Sequence, residues 1–282
     1  MQEYVGQGFL PGASEEGVRL VRAHEGQIRE RVVSFMRQRW HVEVRVNAVW
    51  PGRRSAAVYV SCQDPVFTVG LNVRLDREGQ VVGDPVDQWE ELQTAVMTGL
   101  FYRAYQGEYD QLNEFLRGEA SRLGLYGMRP EALQRTQSVG YVTPWMFVAM
   151  AGSDYQDVVD AFVAGEDLPV ERLRVMFEAD IAREREHVLD RERGMVVNTP
   201  IQLYAASDTL PSKSVVDRVE ADLRAWSGSH VLPPTGYTIT IFKNSIVNRV
   251  GLPNGDNVDT GQVPGGPADG IKIRYLYFNG TE

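Results

Sequence analysis

Lysine is nearly missing from this chain. All 29 basic residues are arginine except Lys213, Lys243 and Lys272, a skew that fits coding bias or surface adaptation and carries no functional implication. Cysteine is as scarce. Cys62 stands alone, so no internal disulfide can form, and its strand-like setting reads as a buried, inert thiol that leaves the redox compartment open. No apolar run reaches the roughly 18 residues of a membrane-spanning helix. Met1 leads directly into polar sequence, so the chain as given is expected to be soluble, with any signal or anchor removed from its front. Basic residues do not cluster along the sequence either. With a net charge of −9 and a pI near 5.1, nucleic acid is a poor partner, and so is an acidic membrane surface.

Catalytic motifs are also lacking. There is no Gly-x-Ser-x-Gly elbow. Gly6-Gln7-Gly8 lacks the strand, helix and third glycine of a dinucleotide site. Ser229 and His230 are neighbours near a helix end, where capping is the usual role. Cys62 with His41 across adjacent strands is the remaining nucleophile pair, and an apolar strand raises a thiol pKa. No catalytic residue and no cofactor are assigned.

What is present suits a substantial core: 282 residues, 43% hydrophobic, enough for one large domain or two small ones. The organising stretch is Trp89 to Tyr105. Trp89, Leu92, Val96 and Leu100 form one apolar stripe at helical spacing, and Met97, Phe101 and Tyr105 form a second, which predicts a buried central helix near residues 88–106. Ala95 and Gly99 would let a neighbour approach closely. Arg103 in such a helix should be paired.

Ser14 offers an N-cap to a helix running to about Arg39, with Glu15 and Glu16 at its positive end. From Trp40 the period becomes two. Val42, Val44 and Val46 alternate with polar residues, Pro51-Gly52 turns the chain into Ala56 to Cys62, and Pro65 opens a third run to Leu75. The first helix should cover the apolar face of this meander. Gly107 is expected to break the chain before a helix through Tyr109, Leu112 and Leu116, followed by a short helix at Pro130 to Gln137. Val142 to Met150 reads as a strand. Asp154 caps one helix and Pro169 starts another, which continues into the charged run Arg183 to Arg193. Met195 to Ala205 is extended, and Pro200 makes it an edge or bulged strand. Ser212 opens an amphipathic helix that ends at Gly228. Tyr237 to Val247 and Ile271 to Phe278 are strands joined by a long loop, Gly251 to Gly270.

The expected class is therefore α+β, with mainly antiparallel sheets packed against helices. Helix, strand, strand occurs at both ends, which permits a pseudo-repeat or one mixed sheet. A boundary near Gly140 would divide residues 1–140 from residues 141–282, as two halves or as one continuous domain.

Two patterns could hold a metal. Asp180, Glu184 and His187 share a helical face, as in the Glu-x-x-His elements of di-metal bundles, but no second such element accompanies them. Asn254, Asp256, Asn257 and Asp259 could gather oxygens around calcium, though their spacing is not that of an EF-hand and turn formation explains them equally well. Tyr102, Arg103, Tyr105 and Tyr109 could form an interaction surface, core packing being the alternative.

Particular strings then carry a resemblance. Tyr4-Val5-Gly6-Gln7-Gly8-Phe9, Gly99-Leu100-Phe101-Tyr102-Arg103-Ala104-Tyr105, Leu112-Asn113 with Phe115, Thr136-Gln137 and Gly140-Tyr141 resemble a family of Gram-positive lipoproteins known as domain of unknown function 1672. The resemblance is clearest up to about Met150 and implies export and attachment to the outer face of the cell membrane through a lipidated cysteine, absent from this chain. It implies no activity or catalytic residues. The expectation is a non-enzymatic, extracytoplasmic, lipid-tethered protein that binds another protein or a cell-envelope ligand. The alternatives are a metal-dependent or other hydrolase and a self-associating envelope subunit.

Overall fold

A computed structural model describes residues 13–85, 89–137, 139–150, 156–187, 197–207, 209–243 and 257–259, with backbone alone at 89–90, 156, 183–187 and 257–259. Ser14 caps helix α1 (Glu15–Trp40) by accepting the Gly17 N–H at 3.0 Å, and Glu15 and Glu16 sit in the first turn. His41 closes the helix in the left-handed region, φ 56°, with its N–H on the Met36 carbonyl. The chain then enters the meander β1 (Val44–Pro51), β2 (Ser55–Gln63) and β3 (Val66–Arg74), an antiparallel sheet in sequential order.

Alternation settles which residues of this sheet go inside. Ala56, Val58, Val60 and Cys62 of β2 and Phe67, Val69, Leu71 and Val73 of β3 are all buried, and α1 contacts all three strands. The pairing of the edge strand β1 with β2 carries a register shift between Val46 and Ala48. Arg29 of α1 donates to the Val46 carbonyl there at 3.2 Å. A bulge and a charged side chain both blunt a strand edge against pairing.

The central helix α2 (Trp89–Ala104) is buried as its stripes predict: Leu92, Val96, Leu100, Phe101 and Ala104 are at most 1% exposed. Its small residues serve close approach. A Cβ on Gly99 would lie 2.8 Å from the Val66 carbonyl oxygen, and Ala95 faces Gly140 across a similar gap. The expected break at Gly107 falls elsewhere. The chain turns at Tyr105 and re-enters helix at once as α3 (Gln106–Leu123), with Gly107 inside its first turn. The short helix α4 (Pro130–Thr136) follows.

The region from Val142 to Met150 departs from the continuous strand expected. Thr143 and Pro144 make a turn in which the Thr143 hydroxyl accepts the Trp145 and Met146 N–H groups. Only Ala149–Met150 (β4) pairs as a strand. Helices α5 (Gln156–Val163) and α6 (Val170–His187) come next. Pro169 stands just ahead of α6, and its carbonyl accepts the Leu173 N–H at 3.0 Å.

The second sheet is mixed. Strand β5 (Val197–Tyr204) runs between β4 and β6 (Gly236–Phe242), so it is not an edge strand. Pro200 is tolerated because its neighbour on the β4 side is ragged, where Phe147 N–H reaches the Pro200 carbonyl at 3.2 Å. Strands β5 and β6 are parallel, which requires a crossover, and α7 (Lys213–Ser227) supplies it. Short β7 (Asn257–Asp259) pairs antiparallel with β6, inside the stretch expected as loop. The predicted strand Ile271 to Phe278 lies outside the described residues. The protein is thus α+β, with one buried cluster that runs from Leu20 to Ile241 and includes residues on both sides of Gly140.

Candidate functional site

Two places deserve comparison: the aromatic run of α2 and α3, and a cleft beside β2 and β3. The aromatic run lies inside. Tyr102, Tyr105 and Tyr109 are 9%, 4% and 0% exposed, so the rings pack in the core. Tyr102 stacks on Tyr141 at 3.9 Å between centroids and 11° from parallel. Its hydroxyl donates to Asp110 at 2.9 Å, while Asn113 donates to the Tyr141 hydroxyl at 3.1 Å. Burial first, and Asp110 second, push the Tyr102 phenol up to about 12.

Deeper in, Tyr109 and Thr199 share a hydrogen bond of 3.0 Å, and Thr199 shares another of 3.0 Å with Thr235. Burial holds the Tyr109 phenol well above its ordinary range. Tyr105 lies beneath the Arg174 guanidinium, 4.9 Å from its ring centroid, and Arg174 also reaches Glu108 at 2.6 Å and the Ala104 carbonyl at 2.7 Å. Arg103 is paired as a charge in this helix should be. Its partner is Asp64, at the turn between β2 and β3. Together these contacts fasten α2 and α3 to the loop at Tyr141, to α6 and to the second sheet.

The cleft is a cavity of about 100 Å³ between the start of β3, the end of β2, α4 and the Gly140–Pro144 loop. Ser61, Cys62, Gln63, Thr68 and Gln134 contribute polar atoms, and Phe67, Leu133 and Val142 contribute apolar surface. Every lining side chain is neutral. Gly140 brings the loop in: with φ +79° it pairs with Thr68, and a Cβ there would fall 1.9 Å from Thr98 Oγ1. Thr98 meanwhile accepts the Tyr141 N–H at 3.1 Å. The Cys62 thiol contacts the Asp64 carbonyl at 3.4 Å, and burial raises its pKa. His41 is exposed at the end of α1 while Cys62 is buried in β2 with its thiol on the Asp64 carbonyl, so the considered Cys62–His41 pair does not form.

Asp180 is 3% exposed on α6. The side chains of Glu184 and His187 lie outside the described residues, although their helix reaches His187. Asp256 lies outside them too, and Asp259 ends β7 with its side chain undescribed. Among the described residues, no three His, Cys, Asp or Glu side chains gather as a metal site. Ser229 and His230 are 3.0 Å apart at the end of α7, where His230 also contacts the Trp226 carbonyl and stacks on the Trp226 ring at 4.3 Å. That is a capping arrangement. Sequence reasoning missed the cleft, since its walls come from two distant segments, residues 61–68 and 130–144, whose residues are individually ordinary.

No helix among the described residues is long and apolar enough to cross a membrane. No functionally curated protein matches the chain. The crystal structure of a DUF1672 family protein from Staphylococcus aureus subsp. aureus Mu50 is similar, with a TM-score of 0.70 at 18% identity over 91% of this chain and 94% of that one. At that identity the likeness speaks for the fold. The model of the family described as "Protein of unknown function (DUF1672)" matches residues 1–265, and the chain belongs to that family.

Proposed function

We propose that this DUF1672 protein is an extracytoplasmic, lipid-tethered binding protein whose partner is another protein or a cell-envelope ligand. The observation that carries the binding half is the cleft. Its lining of neutral donors, acceptors and apolar groups suits recognition, since acid–base chemistry would need titratable side chains near their working pH. At about 100 Å³ it is well below the roughly 300–1,000 Å³ of a small-molecule site. It suits a single projecting group of a larger partner. The tether is supported by the strings that resemble the lipoprotein family, and one lipid chain would hold the domain at a membrane surface without a spanning helix.

Binding of the purified chain to isolated cell envelopes tests this reading. Gln63 is exposed on the cleft wall, so Gln63→Trp should block the cleft and leave the fold intact. The wild type should bind saturably, and the variant should lose at least about tenfold in affinity, the scale of one buried anchor. Equal binding by both proteins, or no binding by the wild type, would count against the cleft.

A further inference from the structure

Arginines scattered through the sequence converge in the fold. The first turn of α1 rests on the β1–β2 turn, where a Cβ on Gly17 would meet the carbonyls of Gly52 and Arg53, and the Ser14 hydroxyl reaches the Arg53 carbonyl at 3.4 Å. Arg54 is tied to the end of β3, its carbonyl accepting the Leu75 N–H at 3.0 Å. The following turn, Asp76 to Gln80, folds onto α1, with Gly79 against Leu20 and His24. One end of this layer therefore carries Arg19, Arg22, Arg53, Arg54, Arg74 and Arg77, all exposed.

These six differ from ten other arginines of the described residues. Arg29, Arg31, Arg37, Arg103, Arg117, Arg122, Arg172, Arg174, Arg218 and Arg224 all make ion pairs, whereas the six at this end have no carboxylate partner among the described residues. Glu15, Glu16, Asp76 and Glu78 share the region, and Asp76 is engaged by the N–H groups of Glu78 and Gln80. Arginines outnumber carboxylates at this end of a protein whose net charge is −9. Total charge hides the asymmetry.

We infer that this arginine-bearing end is a docking surface for the headgroups of an anionic phospholipid bilayer. Charge complementarity is one argument. The other is availability: the six side chains are exposed and none is drawn into an ion pair among the described residues, so their charge is free to meet a headgroup. The inference rests on the proposed membrane location. Each arginine held near an anionic membrane adds about fivefold to partitioning, an effect that salt screens.

The test is sedimentation of the purified, unlipidated chain with vesicles of equal parts phosphatidylglycerol and phosphatidylcholine, and with vesicles of phosphatidylcholine alone. Binding is expected only to the first, and R53E/R54E should weaken it at least about tenfold. The control R37E/R39E makes the same change of charge away from this end, since both residues lie in the last turn of α1, about 30 Å along the axis from Arg19. It should stay within about twofold of the wild type. Circular dichroism confirms that both variants fold. No binding, equal binding to both vesicle types, or equal loss in both variants would overturn the inference. So would displacement by inorganic phosphate at matched ionic strength, which would reveal a phosphate-ion site. Because the unlipidated chain is used, this outcome is independent of whether the tether exists in cells.

Discussion

Tyr102 and Tyr141 stack face to face, 3.9 Å apart and 11° from parallel, joining two strings that lie almost forty residues apart in sequence. Asn113, from a third string, donates to Tyr141. Three of the strings that carry the family likeness thus meet in one packed cluster, where they fasten the central helix to its surroundings. Tyr141→Ala should cost about 3–5 kcal/mol, as for other buried aromatic truncations, and Tyr141→Phe only about 1 kcal/mol for the lost hydroxyl contact. Urea unfolding measures both. Similar small losses for the two variants would mean that the stack contributes little.

Tyr109, Thr199 and Thr235 form a buried hydroxyl chain between α3 and the second sheet. Tyr109→Phe should destabilise by about 1–2 kcal/mol, and Thr199→Val by a similar amount because it strands two hydroxyls. The double variant should cost less than the sum, with a coupling of about 0.5–1.5 kcal/mol. Strict additivity in a double-mutant cycle would show that the hydroxyls do not interact.

Gly140 combines a left-handed backbone with contact against α2. Gly140→Ala adds both backbone strain and overpacking, so a loss of about 2–4 kcal/mol is expected. Thermal unfolding should show a matching drop in Tm. Gly26→Ala, where a Cβ would meet nothing within 4 Å, should instead be neutral or slightly stabilising, since alanine is the better helix former.

Burial sets a pH limit on the fold. It pushes Tyr102 and Tyr105 up to about 12, with Asp110 and Glu178 adding to the shift. The unfolded phenol ionises near 10, so the folded state binds more protons between those values and stability falls as pH rises through them. The contribution is fully present below pH 10. Tyrosinate absorbance and circular dichroism, followed together, should change in step between about pH 10 and 12. Gradual ionisation centred near 10 in a protein that keeps its fold would contradict the buried assignments.

Much of this architecture was legible because periodicity reports burial. The valine alternation of β1 to β3, the Ser14 cap and the double stripe of α2 all appear as expected, and Ala95 and Gly99 serve the close approaches their size suggested. The parallel β5–β6 pair was less visible. Pro200 suggested an edge, yet its neighbour is too irregular to need the missing N–H. The break after α2 was assigned to glycine, although Tyr105 makes it. The cleft and the arginine-bearing end were hidden for one shared reason: their residues are distant in sequence and acquire meaning only when turns bring them together.

Location is the most direct test of the proposed function. Cells expressing the full native gene product should be supplied with a clickable fatty acid, and intact cells stripped of wall should be treated with protease. The proposal predicts acylated protein in the membrane fraction that is digested from outside. Unacylated protein recovered in the cytosol and protected until lysis would contradict it.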